Sequence, residues 1–293
     1  MSHKAGFVSI IGKPNAGKST LLNAFLGEKL SIMTPKAQTT RHRILGILNE
    51  EDHQIVFSDT PGIIKPQYGL QESMMSAVYG SLTDADLVVL VTDIHEKHDE
   101  EDVLKSIEHC LSPIIVVINK VDNAKQEDIL EKINYWKTTL NPVAIFAASA
   151  LHDFQVNEIL SFIIQSLPKH PAYYPKDDTY TDRTERFMVS EMIREKILMF
   201  YQKEIPYSTE VIVTSFIEEE NIVKIQAEII VERESQKAII LGHRGESIKR
   251  TGTESRKSIE EFVGKKVYLE LFVKVLSDWR NKKNYLKRFG YEQ

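Results

Sequence analysis

The chain has 293 residues, 42% of them hydrophobic and 27% charged, with a formal net charge of −5. That length predicts two domains with separate cores, and the composition excludes wholesale disorder and fibrous repeats. A single cysteine, Cys110, excludes an internal disulfide and a cysteine-rich zinc module. No stretch reaches the ~18 apolar residues of a membrane span and no signal peptide is legible before Pro14, so a cytoplasmic protein is expected.

From Phe7 to Leu167 short apolar runs alternate with amphipathic stretches. Strands are predicted at 7–11, 54–57, 87–91, 114–118 and 143–146, and helices at 18–26, 70–82, 99–110, 126–140 and 155–167. The runs Leu87–Val91 and Ile114–Ile118 lack polar alternation, as parallel strands buried on both faces require. The expected fold class is therefore α/β, a doubly wound, mostly parallel sheet, with ligands at the carboxyl ends of its strands. Three prolines between Leu167 and Pro175 predict a semi-rigid linker. Domains are placed at 1–170 and 183–293, with 171–182 between them. Beyond the linker the order is a helix at 185–202, strands at 209–216 and 223–231, helices at 235–241 and 246–262, and a strand at 267–275. This α-β-β-α-α-β order predicts a smaller α+β domain with helices on one face of a three-stranded sheet.

Gly12-Lys13-Pro14-Asn15-Ala16-Gly17-Lys18-Ser19 follows the first predicted strand and opens a helix that continues through Thr20, the context of a phosphate-binding P-loop. Its glycines turn backbone N–H groups onto phosphates, Lys18 reaches the outer phosphates, and Ser19 is a ligand for Mg²⁺. Asp59-Thr60-Pro61-Gly62 ends the second predicted strand. The carboxylate there suits Mg²⁺, and the Gly62 N–H suits the sensing of a terminal phosphate. Asn119-Lys120-Val121-Asp122 ends the fourth. A carboxylate at Asp122 accepts both N1–H and the 2-amino group of guanine, neither of which adenine offers, while Asn119 braces the loop and the Lys120 stem lies along the base. Ser149-Ala150, after the fifth, supplies backbone N–H groups for the guanine carbonyl. Taken singly these motifs have bland alternatives, a β-turn or an N-cap; their order, each at the end of a strand, points to a guanine nucleotide, GTP or GDP. Where Ras-type enzymes carry a water-orienting glutamine this chain has Ile63, so slow intrinsic hydrolysis is expected.

The motif order, together with Glu28-Lys-Leu-Ser-Ile-Met-Thr-Pro-Lys-Ala-Gln-Thr-Thr-Arg-His-Arg-Ile44, Thr181-Asp-Arg-Thr-Glu-Arg-Phe187, Ile193-Arg-Glu-Lys196 and Trp279-Arg280, resembles the Era-like family of translation-factor-class GTPases over nearly the whole length. The resemblance implies that Thr40, with Thr39 as runner-up, closes on Mg²⁺ in switch I, and that Asn15 holds K⁺ beside the phosphates. It also implies that the second domain is a type II KH module, in which Gly242-His243-Arg244-Gly245 clamps about four nucleotides of single-stranded RNA with the bases on the adjoining sheet. Arg244 and Lys249 would neutralise phosphates and His243 would stack or hydrogen-bond. The partner implied is small-subunit ribosomal RNA near its 3′ end, with a role in 30S assembly, for a monomer that takes no DNA. An alternative is a non-catalytic, nucleotide-regulated protein that binds tRNA or another RNA; an ATPase or kinase is disfavoured by Asn119–Asp122.

The charge distribution agrees with RNA. Residues 235–293 carry 14 Lys and Arg against seven Asp and Glu, so the first 234 residues hold a net −12. The tail from Arg280 to Arg288 is a solvated basic surface that also admits peripheral membrane contact at the inner face of the cell membrane. His95, His98, Asp93 and Asp99 are read as exposed loop residues rather than a metal site, and Cys110 as a small core residue.

Overall fold

A computed structural model describes residues 3–96, 101–176 and 179–291. Contacts divide the chain into two units, residues 1–67 with 71–182, and residues 68–70 with 183–293. The first unit is built on β1 (Lys4–Ile11), α1 (Lys18–Leu26), β2 (Ile44–Asn49), β3 (His53–Asp59), α2 (Gly69–Asp84), β4 (Leu87–Asp93), α3 (Glu101–Ile107), β5 (Ile114–Asn119), α4 (Gln126–Thr139), β6 (Ala144–Ala147) and α5 (Val156–Ser166). Its six strands lie in the order β2-β3-β1-β4-β5-β6, parallel throughout except for β2 against β3. The unalternating runs of β4 and β5 are buried on both faces, as their composition requires. The carboxyl ends of β1, β3, β5 and β6 bring the four motif loops to one end of the sheet.

β2 is an addition to the expected pattern. Ile44 and Ile47 are buried on its two opposite faces, and it returns into β3 as a hairpin with no helix between, which a strand-helix alternation does not anticipate. Lys97–Glu100 lie outside the described residues, so the start of the helix expected from Asp99, and His98 and Asp99 of the histidine cluster, are not placed.

The proline-rich stretch expected to be a semi-rigid linker is fastened to β3. Gln54, fully buried on β3, spends three of four hydrogen bonds on it: Oε1 accepts the N–H of Tyr173 and Tyr174, and Nε2 donates to the Tyr174 carbonyl, the fourth going from Nε2 to Asn49 of β2. Further along, the Ile47 N–H donates to the Tyr180 carbonyl, the Leu45 N–H to Asp182, and Thr181 bridges Gly46. Residues 179–182 therefore line the open edge of β2, the strand that follows switch I.

The second unit contains α6 (Glu185–Phe200), the single turn α7 (Ile205–Ser208), β7 (Glu210–Glu218), β8 (Ile222–Val231), α8 (Glu234–Leu241), α9 (Glu246–Val263), β9 (Lys266–Val275) and α10 (Lys283–Arg288). β8 is central, antiparallel to β7 and parallel to β9. Alternation works as in a one-sided sheet: Val223, Ile225, Ala227 and Ile229 join Val189, Ile193 and Ile259 in one core, while Lys224 and Gln226 face outward.

Candidate functional site

The P-loop obtains its shape from three residues with positive φ: Gly12 (145°), Asn15 (64°) and Gly17 (99°). At Gly12 a Cβ would lie 2.1 Å from the Val91 carbonyl oxygen, so only glycine fits between the loop and β4. α1 starts on Gly17 with no side-chain cap, which leaves its first N–H groups to a phosphate. Lys18 is 5% exposed and donates to the Lys13 carbonyl at 2.9 Å. Burial lowers its pKa to about 8, opposed by the charges of Asp59 and Glu96. The P-loop is tied to the end of β4 through Lys13, whose ammonium pairs with Glu96 at 3.2 Å while Glu96 accepts the Thr92 hydroxyl and the Asp93 N–H.

The metal-type residues converge. Ser19 Oγ lies 2.7 Å from Asp59 Oδ2 and 2.9 Å from Thr40 Oγ1, and Thr40 Oγ1 lies 3.3 Å from Asp59 Oδ2. Adjacent ligands of an octahedral Mg²⁺, each ~2.1 Å from the ion, are about 3 Å apart, so the two hydroxyls stand at a spacing that fits the ion. Thr39 instead bonds Thr34 and the Lys36 carbonyl within switch I. Asp59 is completely buried, and burial raises its carboxyl pKa, with Ser19, Lys18, Ser31 and Thr40 acting in the opposite direction.

A cavity of about 600 Å³ opens over these groups, walled by Asn15, Lys18, Ser19 and Thr20 of the P-loop side, residues 32–36 and 38–40 of switch I, Gly62, Lys120 and Leu151. That volume suits a nucleotide-sized ligand. Asp122 Oδ1 accepts the Ser149 hydroxyl at 2.6 Å, and this bond holds its carboxyl below the usual range, so it stays ionised at neutral pH. Asn119 braces two loops at once, donating to the Ala16 carbonyl and accepting the Ala150 N–H, both at 2.9 Å. Asp93 pairs with Lys120 at 2.7 Å.

Some expected residues face elsewhere. The Thr60 hydroxyl donates to the Ile10 carbonyl and pins β3 to β1, away from the cavity. The Ser149 and Ala150 N–H groups are bonded to Phe154 and Asn119, so a guanine carbonyl at Ala150 would share that donor with Asn119. Ile63 is buried in the core beside Met75, and only its N–H, which donates to the Gly12 carbonyl, contributes to the loop. Asp93, Glu96 and Leu151 were beyond sequence reasoning: no motif marks a residue whose partner lies on another strand end.

In the second unit Gly242 (φ 70°), Arg244 (φ 48°) and Gly245 (φ 80°) form a tight turn between α8 and α9, with His243, Arg244 and Lys249 exposed. A Cβ at Gly242 would lie 2.1 Å from Ser247 Oγ. Beside the turn runs a groove of about 330 Å³ with Lys249, Thr253 and Arg256 along α9 and Leu269 and Leu271 on β9. The groove includes part of the sheet that adjoins the turn, through Leu269 and Leu271 of β9. The outward face of β9 is occupied by Tyr268 and Gln226 on Glu270 and by Lys274 on Glu228, whereas the apolar strip beside the basic helix lies on the helix-covered side.

Comparison with known proteins follows the same division. Residues 7–120 match the family described as 50S ribosome-binding GTPase, and residues 204–280 the KH domain. GTPase Era of Staphylococcus epidermidis is 41% identical over 292 residues, covering 99% of this chain and 97% of its own. The chain belongs to the Era family of GTPases. Two solved structures, each 39% identical with a TM-score of 0.94, cover 99% of this chain and 100% of their own. One is Era in complex with MgGDPNP and nucleotides 1506–1542 of 16S ribosomal RNA. The other is a single-residue variant of Aquifex aeolicus Era bound to GDP·AlF4⁻. The resemblance carried by the switch I segment and the motif order thus extends to the whole chain.

Proposed function

We propose that this protein is a Mg²⁺-dependent GTP-hydrolysing switch that binds small-subunit ribosomal RNA near its 3′ end and assists 30S subunit assembly in the cytoplasm, as a monomer. The observation that carries it is the meeting of Ser19, Thr40 and Asp59 within 2.7–3.3 Å at the mouth of the P-loop, in a chain whose full-length relatives are Era GTPases. The 50S description belongs to a domain match covering residues 7–120, while the small-subunit reading rests on relatives matched over 99% of the chain.

Ser19 and Thr40 would hold the ion and Asp59 would steady it; bound there, Mg²⁺ would neutralise charge on the β- and γ-phosphates. Lys18 leaves the Lys13 carbonyl for the outer phosphates, the P-loop and α1 N–H groups orient the chain of phosphates, and Lys120, Asp122 and Asn119 hold the base. A retained metal trio favours this reading over a purely structural nucleotide. With Ile63 buried, no side chain follows Gly62 to orient water, so turnover relies on charge neutralisation. Asn15 lines the cavity and would hold K⁺ beside the phosphates, although its left-handed backbone is also one that asparagine adopts readily in a turn. Replacing Na⁺ by K⁺ should raise single-turnover hydrolysis about tenfold, and Asn15→Ala should remove that response; equal rates in both salts would refute the ion's role.

The RNA reading rests on the Gly242–Gly245 turn and the basic groove beside it, in residues 183–293. The tail supports a polyanion rather than a bilayer: Leu286 is buried and Phe289 packs on Trp279, so its apolar side chains point inward while Lys282, Lys283, Lys287 and Arg288 are exposed. Gly245→Asp places a charge at the phosphate clamp and should weaken binding of a small-subunit 3′-end oligonucleotide at least tenfold in fluorescence anisotropy, with GTP hydrolysis retained. Unchanged RNA affinity would remove the clamp from this turn.

A further inference from the structure

The loop that follows β4 carries two carboxylates, and each is paired with a lysine of a different nucleotide motif. Glu96 Oε1 lies 3.2 Å from the ammonium of Lys13, the second residue of the P-loop. Asp93 Oδ2 accepts the ammonium of Lys120, the second residue of Asn119–Asp122, at 2.7 Å. A loop that belongs to none of the four motifs thus stands between the phosphate side of the site and its base side. Glu96 is fixed through every polar group it has. Its N–H donates to the Asp93 carbonyl at 3.0 Å, and Oε2 accepts the Thr92 hydroxyl at 3.2 Å and the Asp93 N–H at 3.3 Å. Its carbonyl accepts Lys132 Nζ at 2.8 Å. Lys132 comes from α4 and is 3% exposed, so a buried ammonium, costly unless it finds an acceptor, helps to set the main chain at Glu96. Asp93 is held as firmly: Oδ1 accepts the His95 N–H at 2.9 Å, and the Ile94 N–H donates to the Asn119 carbonyl at 3.0 Å. Three lysines from three parts of the fold therefore converge on residues 93–96.

A lysine side chain is a flexible four-carbon stem, and confining it to one rotamer when a ligand binds lowers affinity. A carboxylate that confines it in advance removes that loss. Lys120 lines the nucleotide cavity, so with its ammonium held by Asp93 its stem is already set where a base would lie. Lys13 acts through its main chain. Its carbonyl accepts Lys18 Nζ at 2.9 Å, and Glu96, by holding the Lys13 side chain to the end of β4, fixes the peptide on which Lys18 rests.

We propose that the loop after β4 is a further element of the guanine-nucleotide site, with Glu96 and Asp93 as positioning residues that act on the phosphates through Lys13 and on the base through Lys120. The inference rests on the nucleotide-site reading given above.

The test uses the full chain loaded with a fluorescent GDP analogue, whose release is followed in excess unlabelled GDP. Glu96→Gln and Asp93→Asn keep the size of the side chain and an acceptor oxygen but remove the charge, and each should speed release about three- to tenfold. Lys13→Met and Lys120→Met should speed it too. In the double variants Glu96→Gln with Lys13→Met, and Asp93→Asn with Lys120→Met, release should be no faster than in the more affected single variant, because the pair is already broken. Independent, multiplying effects in either cycle would overturn the proposal, since the loop would then act by general loosening and not through the lysines. In single-turnover hydrolysis by Glu96→Gln, the GTP concentration for half-maximal rate should rise by the same factor with the limiting rate retained. A fall in the limiting rate at unchanged half-saturation would remove the positioning role. Lys18→Ala serves as reference. If it releases nucleotide quickly while Glu96→Gln and Asp93→Asn behave like the unsubstituted protein, the loop has no part in binding. If Lys18→Ala also leaves release unchanged, the nucleotide-site reading itself fails.

Discussion

Asp122→Asn is expected to exchange a guanine-nucleotide protein for a xanthine-nucleotide one. Two guanine donors, N1–H and the 2-amino group, converge on an ionised carboxylate in this reading, and a hydrogen bond to a charged group contributes roughly 1.5–3 kcal/mol. An asparagine keeps one neutral acceptor and turns a donor toward the 2-amino group, so GTP and GDP affinity should fall about 10²- to 10⁴-fold. Xanthine carries a carbonyl at that position, which the new amide can donate to. The local geometry favours this outcome: the Ser149 hydroxyl, 2.6 Å from Oδ1, can still donate to the asparagine oxygen and fix which end of the amide faces the base. Competition of XTP and GTP against a fluorescent nucleotide reads the change directly, and a variant that keeps GTP within threefold of the unsubstituted protein would sink the assignment. The same carboxyl dictates the pH response. Its pKa is lowered by the Ser149 hydrogen bond, so base recognition is fully present at neutral pH and is lost only in acid, as pH falls through that depressed value.

The site was legible in the sequence where chemistry dictates residue type. Phosphate cradling needs glycines at positive φ, the metal needs a hydroxyl at the start of α1 and a carboxylate at the end of β3, and guanine needs a carboxylate after β5; each has a spacing that survives in one dimension. The fold was legible where burial is two-sided, as in β4 and β5, and where helix periodicity is unbroken, as in α1 and α9. What stayed hidden depends on partners far along the chain. Gln54 reads as one polar residue in a strand, yet it fastens residues 173–174 across 120 positions. Asn23 reads as a polar position on an amphipathic helix, and Glu96 as part of a charged loop. Both are buried or half-buried braces whose bonds exist only once the sheet has brought the loops together. β2 escaped because its hairpin breaks the strand-helix rhythm that identified the other strands.

Gly17→Ala is expected to abolish nucleotide binding by acting on a residue 102 positions away. The φ of 99° at Gly17 already disfavours any side chain, at about 1–2 kcal/mol. The larger effect is steric: a Cβ there would stand 2.0 Å from Asn119 Nδ2. That amide is the end of a side chain and can swing away, but only by surrendering its bonds to the Ala16 carbonyl and the Ala150 N–H. Both partners are buried, so each broken bond leaves an unsatisfied group costing roughly 1–3 kcal/mol. The P-loop and the base loop would then lose their shared brace together. GTP and GDP affinity should fall by more than about 10³-fold, and the melting temperature by at least about 6 °C, taking the low end of these costs at ~2 °C per kcal/mol for a unit of this size. Gly27→Ala isolates the backbone contribution. Gly27 has a φ of 68°, but nothing lies within 4 Å of its would-be Cβ, so this substitution should lower stability by only about 1 kcal/mol and leave nucleotide affinity intact. If Gly17→Ala proves as mild as Gly27→Ala in isothermal titration and thermal melting, Asn119 can yield without loss, and the two loops are not mechanically joined. If it behaves as expected, phosphate and base recognition form one unit held through Asn119, and damage at either loop will register at the other.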